Sequence, residues 1–146
     1  MYDPWNARNN YIDVVLDRNP DVISKFQREN FRENLTYDDK VLGMKLLEIQ
    51  RQAMLMYTSC GWFFAEISGI ETVQLMKYAA RAMQLAKDFS DEDLQFEFLE
   101  ILAKAKSNIA ECGTGKDVFE KYVVPSVVTI NQIANLWRLI ILEMSL

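Results

Sequence analysis

Residues 36–56 read TYDDKVLGMKLLEIQRQAMLM, and this stretch decides the fold. Thr36 followed three residues later by Asp39 has the form of a capping box, the signature of a helix start. Behind it Leu42, Leu46, Ile49, Ala53 and Met56 recur at three- and four-residue spacing, the period of one helical face and not of a strand. The spacing predicts a helix from 37 to about 59, roughly 35 Å long. Asn34-Leu35-Thr36 also matches a glycosylation acceptor, but in a cytosolic chain the cap is the role expected of Thr36.

Working outward, Asp3-Pro4 and Asn19-Pro20 each place a good N-cap before a proline at the first helical position, which predicts short helices near 4–17 and 20–32. After a linker from Cys60 to Ser68, Ser68-Gly69-Ile70-Glu71 reads as a second capping box opening a helix to about 88. Its polar stripe of Glu71, Gln74, Lys77, Arg81, Gln84 and Lys87 or Asp88 leaves Leu75, Ala79, Ala82 and Ala86 for the core. Ser90 to Asp93 caps another helix carrying Leu94, Phe98, Ile101, Leu102, Ala105 and Ile109 on one face. The turn between these two is short enough to force an antiparallel hairpin.

Cys112-Gly113-Thr114-Gly115 is expected to stop that helix, and a short one near 116–122 leads to Pro125. Thr129-Ile130-Asn131-Gln132 caps a last helix to about 144, apolar at 130, 133, 134, 137, 140, 141 and 144. Leu136, Leu139 and Leu142 widen its stripe beyond one face, so it is expected to be sandwiched or to drive self-association. With no strand alternation or repeat, the expected fold is all-α: a single helical bundle of about six to seven helices over residues 1–146, with an up-down-up core hairpin. That topology makes the Cys60–Ser68 and Cys112–Gly115 loops neighbours at one end of the bundle, where binding surfaces commonly lie.

Composition narrows the chemistry. The chain has 146 residues, half of them apolar, and a net charge of -5, which argues against nonspecific binding to nucleic acid. It has no histidine, which removes Ser-His-Asp and Cys-His catalysis and His-ligated zinc. Two cysteines, Cys60 and Cys112, are too few for a disulfide scaffold or an all-cysteine zinc site and read as reduced thiols. No cofactor or metal is expected. The apolar stretch from Val123 to Leu142 is interrupted by Pro125, Asn131, Gln132, Asn135 and Arg138, so no membrane span is expected. MYDPWNARNN lacks the pattern of a signal peptide, and a cytoplasmic location follows as the expectation.

The candidate surface is Cys60-Gly61-Trp62-Phe63-Phe64, three consecutive aromatics where loops are usually polar. They either plug the end of the bundle or, for Trp62 above all, offer an aromatic face on which a sugar ring stacks. Glu66 and Glu71 flank Ser68 and could be compared with a retaining glycosidase pair, but proximity between acids is cheap in this chain and structural roles are expected. Gly113-Thr114-Gly115-Lys116 is not a phosphate loop: Ala110 stands where that pattern needs Gly and Asp117 where it needs Ser or Thr.

The stretch from Met54 through Cys60-Gly61-Trp62-Phe63-Phe64-Ala65-Glu66 to Gln74 resembles domain of unknown function 3536, the helical domain found C-terminal to the catalytic barrel in a subset of family 57 glycoside hydrolases. Tyr11 to Arg18, Glu48 to Arg51, Tyr78 to Ala82, Ala105 to Ile109, and Glu111, Gly113, Gly115, Tyr122, Val123 and Pro125 follow the same family's order. The resemblance implies a non-catalytic accessory domain, excised from the C-terminal part of a larger α-glucan-active enzyme. Its partners would be the catalytic barrel of the parent chain and, weakly, an α-glucan or oligosaccharide. Both catalytic carboxylates would lie on that barrel, so the domain itself would not be an enzyme. Trp62 would stack on sugar beside Phe63, with Arg51, Glu66, Asn108 and Glu111 as hydroxyl partners or loop supports. The family pattern carries an acid at position 65 and a His at 52, where this chain has Ala65 and Gln52. The alternative is a free-standing helical interaction or dimerisation module.

Overall fold

A computed structural model of the chain describes residues 1–129, 132–134 and 136. It is all-α, with helices α1 (Pro4–Leu16), α2 (Pro20–Asn30), α3 (Tyr37–Leu55), α4 (Cys60–Phe63), α5 (Ile70–Ala86), α6 (Leu94–Leu102) and α7 (Gly115–Tyr122). Short 3-10 turns lie at Ala110–Cys112, between α6 and α7, and at Val124–Ser126, after α7. The starts obey local chemistry. The side chains of Asp3 and Asn19 accept amide hydrogen bonds at the openings of α1 and α2, each with proline at the first helical position. The Thr36–Asp39 box is complete at the start of α3.

Two buried clusters hold the chain together. Ala7, Tyr11, Val14, Phe26, Phe31 and Leu47 join α1, α2 and α3. Gly43 lets the Phe31 ring close on α3, since a Cβ there would lie 2.8 Å from the ring. Val73, Met76, Ala80, Val118, Phe119 and Val123 form the second cluster, under α5 and α7. The most extensive pairing of elements is α3 on α5. They run antiparallel: Lys45, midway along α3, reaches Asp88 just beyond the end of α5 at 2.5 Å, while Thr72 in the first turn of α5 bonds Gly61, beyond the end of α3.

Four expectations are corrected. First, α3 ends at Leu55 and not near 59: the Thr58 hydroxyl donates to the Leu55 carbonyl at 2.9 Å, and the chain turns into α4, which occupies part of the expected linker. Second, Ser68 does not cap α5. Gly69 is the N-cap, and the Ser68 amide and hydroxyl both donate to Glu66.

Third, α5 buries two faces and not the single expected one. At 3.6 residues per turn Val73, Met76 and Ala80 lie on one side and Leu75, Ala79, Ala82 and Ala86 on the adjoining side, and both are at least half-buried. A helix between two neighbours buries two faces, which a single-stripe reading misses.

Fourth, α6 is nine residues long and stops at Leu102, not at the Gly113 region. The Gly115 amide donates to the Ala105 carbonyl and the Ser107 amide to the Gly113 carbonyl, both at 2.9 Å, with Lys106 and Thr114 paired as an isolated bridge. These cross-loop bonds take the backbone groups that a longer helix would use. Ile109 therefore lies off the helix and is exposed, and Ile101, within α6, is exposed as well. The up-down core is the α3–α5 pair, with a short third member. The Thr129–Gln132 capping pair is present. Of the last helix's apolar positions, Ile133 and Leu136 are exposed and Ala134 is exposed too, while 130, 137, 139, 140, 141, 142 and 144 lie outside the described residues.

Candidate functional site

The aromatic ledge is built on α4. Gly61 sits against Leu75 of α5 so closely that a Cβ would fall 1.8 Å from Leu75 Cδ1. Only glycine permits that approach. The Thr72 hydroxyl, from the first turn of α5, donates to the Gly61 carbonyl at 3.0 Å. With this side of α4 held on α5, the aromatic side chains lie outside: Trp62 and Phe63 are each 73% exposed and Phe64 53%. Phe63 and Phe64 meet edge to face with centroids 5.3 Å apart. They do not plug the bundle, whose interior is filled from other elements.

Glu66 fixes the ledge to a second loop. One carboxylate oxygen accepts from the Ser68 amide and hydroxyl, both at 2.8 Å, and from the Ser107 hydroxyl at 2.6 Å. The other accepts from the Asn108 amide at 2.8 Å, while the Asn108 side-chain amide donates to the Ala65 carbonyl. The Ser107 hydroxyl first, then Ser68 and the Asn108 amide, hold the Glu66 carboxyl down to about 2. Glu66 is thus a charged anchor with its oxygens occupied, unsuited to donate a proton at neutral pH. Since Ser107 in turn bonds Gly113, the two expected neighbouring loops do meet, through the 107–108 segment.

Of the sequence-derived candidates, the structure brings together Trp62, Phe63, Glu66 and Asn108, the last two as supports. Glu111 is exposed in the adjoining 3-10 turn. Arg51 does not join them. Its guanidinium bonds Glu48 at 2.9 Å, in a cluster that ties α1 to α3: Tyr11 OH at 2.9 Å, Arg18 at 2.8 Å and the Gln52 amide at 2.7 Å converge on the same carboxylate. Burial raises the Glu48 pKa, but the bonds from Gln52 and Tyr11 and the two arginines outweigh it and the net shift is downward. Burial first, then the anionic Glu48, pushes the Tyr11 hydroxyl up to about 12. Gln52 is a buried partner in this cluster.

Sequence reasoning missed Ser107 as the partner of Glu66, and a serine 41 residues away carries no local signal. Cys60 is exposed and Cys112 half-buried, both as free thiols. Among the described residues, no group of three His, Cys, Asp or Glu could hold a metal ion, and no helix is long and apolar enough to cross a membrane.

The family model described as domain of unknown function (DUF3536) matches residues 1–142. The chain belongs to that family. The match takes in both buried clusters, the ledge and the Glu66 tether. No curated protein and no solved structure matches the chain.

Proposed function

We propose that this DUF3536 domain is a non-catalytic accessory domain of a family 57-like α-glucan-active glycoside hydrolase, cytoplasmic, packed on the catalytic barrel of a larger chain and completing the sugar cleft with the α4 ledge. One observation carries the reading: Trp62 and Phe63 are exposed on a backbone pinned by the Gly61–Leu75 contact and the Glu66 tether. An aromatic wall that is both open and held in place is what stacking on the C–H face of a sugar requires. Glu66 and Asn108 hold that wall, and Glu111 lies nearby for a hydroxyl.

The first test is the reading frame upstream of residue 1, which should encode a barrel. In that parent chain, Trp62→Ala should cut activity on oligosaccharides about tenfold, the equivalent of roughly 1.4 kcal/mol. Because the indole is mostly in solvent, the melting temperature should hardly move. The isolated chain should release no reducing sugar from starch, glycogen or maltodextrin and bind glucans no better than millimolar. Turnover by the isolated chain, or unfolding by Trp62→Ala, would sink the proposal. The competing reading is an interaction or dimerisation module, favoured by a second apolar surface between α1 and α3; a reading frame without a barrel, and a dimer in light scattering, would establish it.

A further inference from the structure

That second surface is a cleft of about 610 Å³ between the start of α1 and the first half of α3, whose lining includes Trp5, Arg8, Leu42, Leu46, Leu47 and Gln50. Arg8, Leu47 and Gln50 also line a hollow of about 240 Å³ that adds Tyr11, Arg51 and Met54, so the two form one groove with Arg8 at its waist. The aromatics of the α4 ledge line neither part. A concavity of this size, apolar but for a few polar groups, has the character of a small-molecule site.

The charged groups say which molecule. Among the described residues, the hollow is lined by two guanidiniums, Arg8 and Arg51, and by no carboxylate. Asp39, the acid of the wider cleft, is engaged by Thr36 in the α3 cap. Arg18 and Arg51 share the carboxylate of Glu48 at 2.8 and 2.9 Å, which leaves one positive charge over, and Arg8 adds a second. The groove is thus a cationic spot in a chain whose net charge is -5. Both guanidiniums are held in place with hydrogens to spare. Arg8 lies 4.8 Å from the Trp5 ring centroid and donates Nε and Nη2 to Asn9, which leaves Nη1 open among the described residues. Arg51 donates Nη1 to Glu48, which likewise leaves Nε and Nη2 open. A planar guanidinium with open donors matches the oxygens of a carboxylate or phosphate. Beyond the waist, Leu46, Leu42 and Trp5 offer an apolar path. A sugar, which needs donors and acceptors along its whole length, is a poor fit to that path.

We propose that the α1–α3 groove binds an anionic amphiphile, a fatty-acid-like molecule whose carboxylate or phosphate head lies between Arg8 and Arg51 and whose apolar tail follows Leu46 and Leu42 toward Trp5. The site is independent of the sugar reading of the ledge.

The test is calorimetric titration of the 1–146 chain with decanoate, decyl phosphate and 1,2-decanediol, which share one tail and differ in the head, with backbone amide NMR shifts to locate binding. An anionic head should bind at least about tenfold more tightly than the neutral diol, and the tighter of the two anions identifies the head. Shifts should centre on 4–12 and 42–54. Arg8→Gln, at an exposed position, should fold normally and cut the preference for the anion severalfold. Leu46→Glu, also exposed, places a carboxylate beside the tail and should weaken both anions about tenfold. Equal binding of anions and diol, a preference unchanged in Arg8→Gln, or shifts confined to 60–64 would each overturn the proposal. A dimer in light scattering that decanoate does not dissociate would make a second copy the occupant and reject it.

Discussion

Replacing Glu48 by Gln tests whether the Glu48 cluster, rather than apolar packing alone, locks α1 onto α3. The Glu48 side chain is 14% exposed and accepts from four donors through both oxygens. The two that matter most are the Tyr11 hydroxyl and the Gln52 amide, on residues 6% and 7% exposed. The arginines keep contact with water, and the more open Arg18 pair contributes about 0–1 kcal/mol. A glutamine keeps one accepting oxygen and turns an NH2 toward the other pair of donors. One buried donor is then stranded, at about 1–3 kcal/mol, and the charge assistance to the rest is lost, for a total of roughly 2–4 kcal/mol. Glu48→Ala strands both and should cost about 3–5 kcal/mol.

At about 2–4 °C per kcal/mol for a chain of this size, Glu48→Gln should lower Tm by roughly 5–15 °C, read by circular dichroism at pH 7 and checked by urea unfolding. The sign with pH follows from the lowered Glu48 pKa. The carboxylate's contribution is complete above its ordinary value of 4.5 and is lost as pH falls through the lower folded value. The gap between wild type and Glu48→Gln should therefore narrow in acid. A loss below about 0.5 kcal/mol at pH 7, or a gap unchanged in acid, would refute the argument.

Other outcomes follow from single contacts. Gly115→Ala places a Cβ 2.9 Å from the Leu102 carbonyl oxygen and 2.8 Å from Leu102 Cγ, so urea unfolding should show a loss of about 1–3 kcal/mol. Thr114→Ala removes the capping box with Asp117 at the start of α7 and should cost about 1 kcal/mol by the same assay. Glu66 is held at about 2 against an ordinary 4.5, so its tether is complete above pH 4.5 and is lost as pH falls toward 2; amide protection at 60–68 and 107–109, taken relative to the intrinsic exchange rate at each pH, should drop in that window, and in Glu66→Gln already at neutral pH. Thiol titration of denatured protein under non-reducing conditions should count two free thiols, and native Cys60 should react faster than Cys112.

Helix identity and most helix starts were legible in the residues because they are local: a cap, a proline and a 3.6-residue period all act within one or two turns, as at Asp3, Asn19 and Thr36, whereas α6 is capped by Asp93 and not by Ser90. The same locality explains why Gly61-Trp62-Phe63-Phe64 could be singled out, and why an exposed ledge and a buried plug were both compatible with it. Tertiary structure made that choice, by seating Gly61 on Leu75 and tying Glu66 to Ser107 across 41 residues. It also ended α6 at Leu102, because the Ala105–Gly115 and Ser107–Gly113 bonds compete for the backbone groups that a helix would use. Arg51 pairs with Glu48 three residues away on the same helix, a spacing that the sequence itself records. Only packing decided that Tyr11 and Arg18, from α1 and just beyond it, converge on the same carboxylate, because contacts between helices leave no period along the chain.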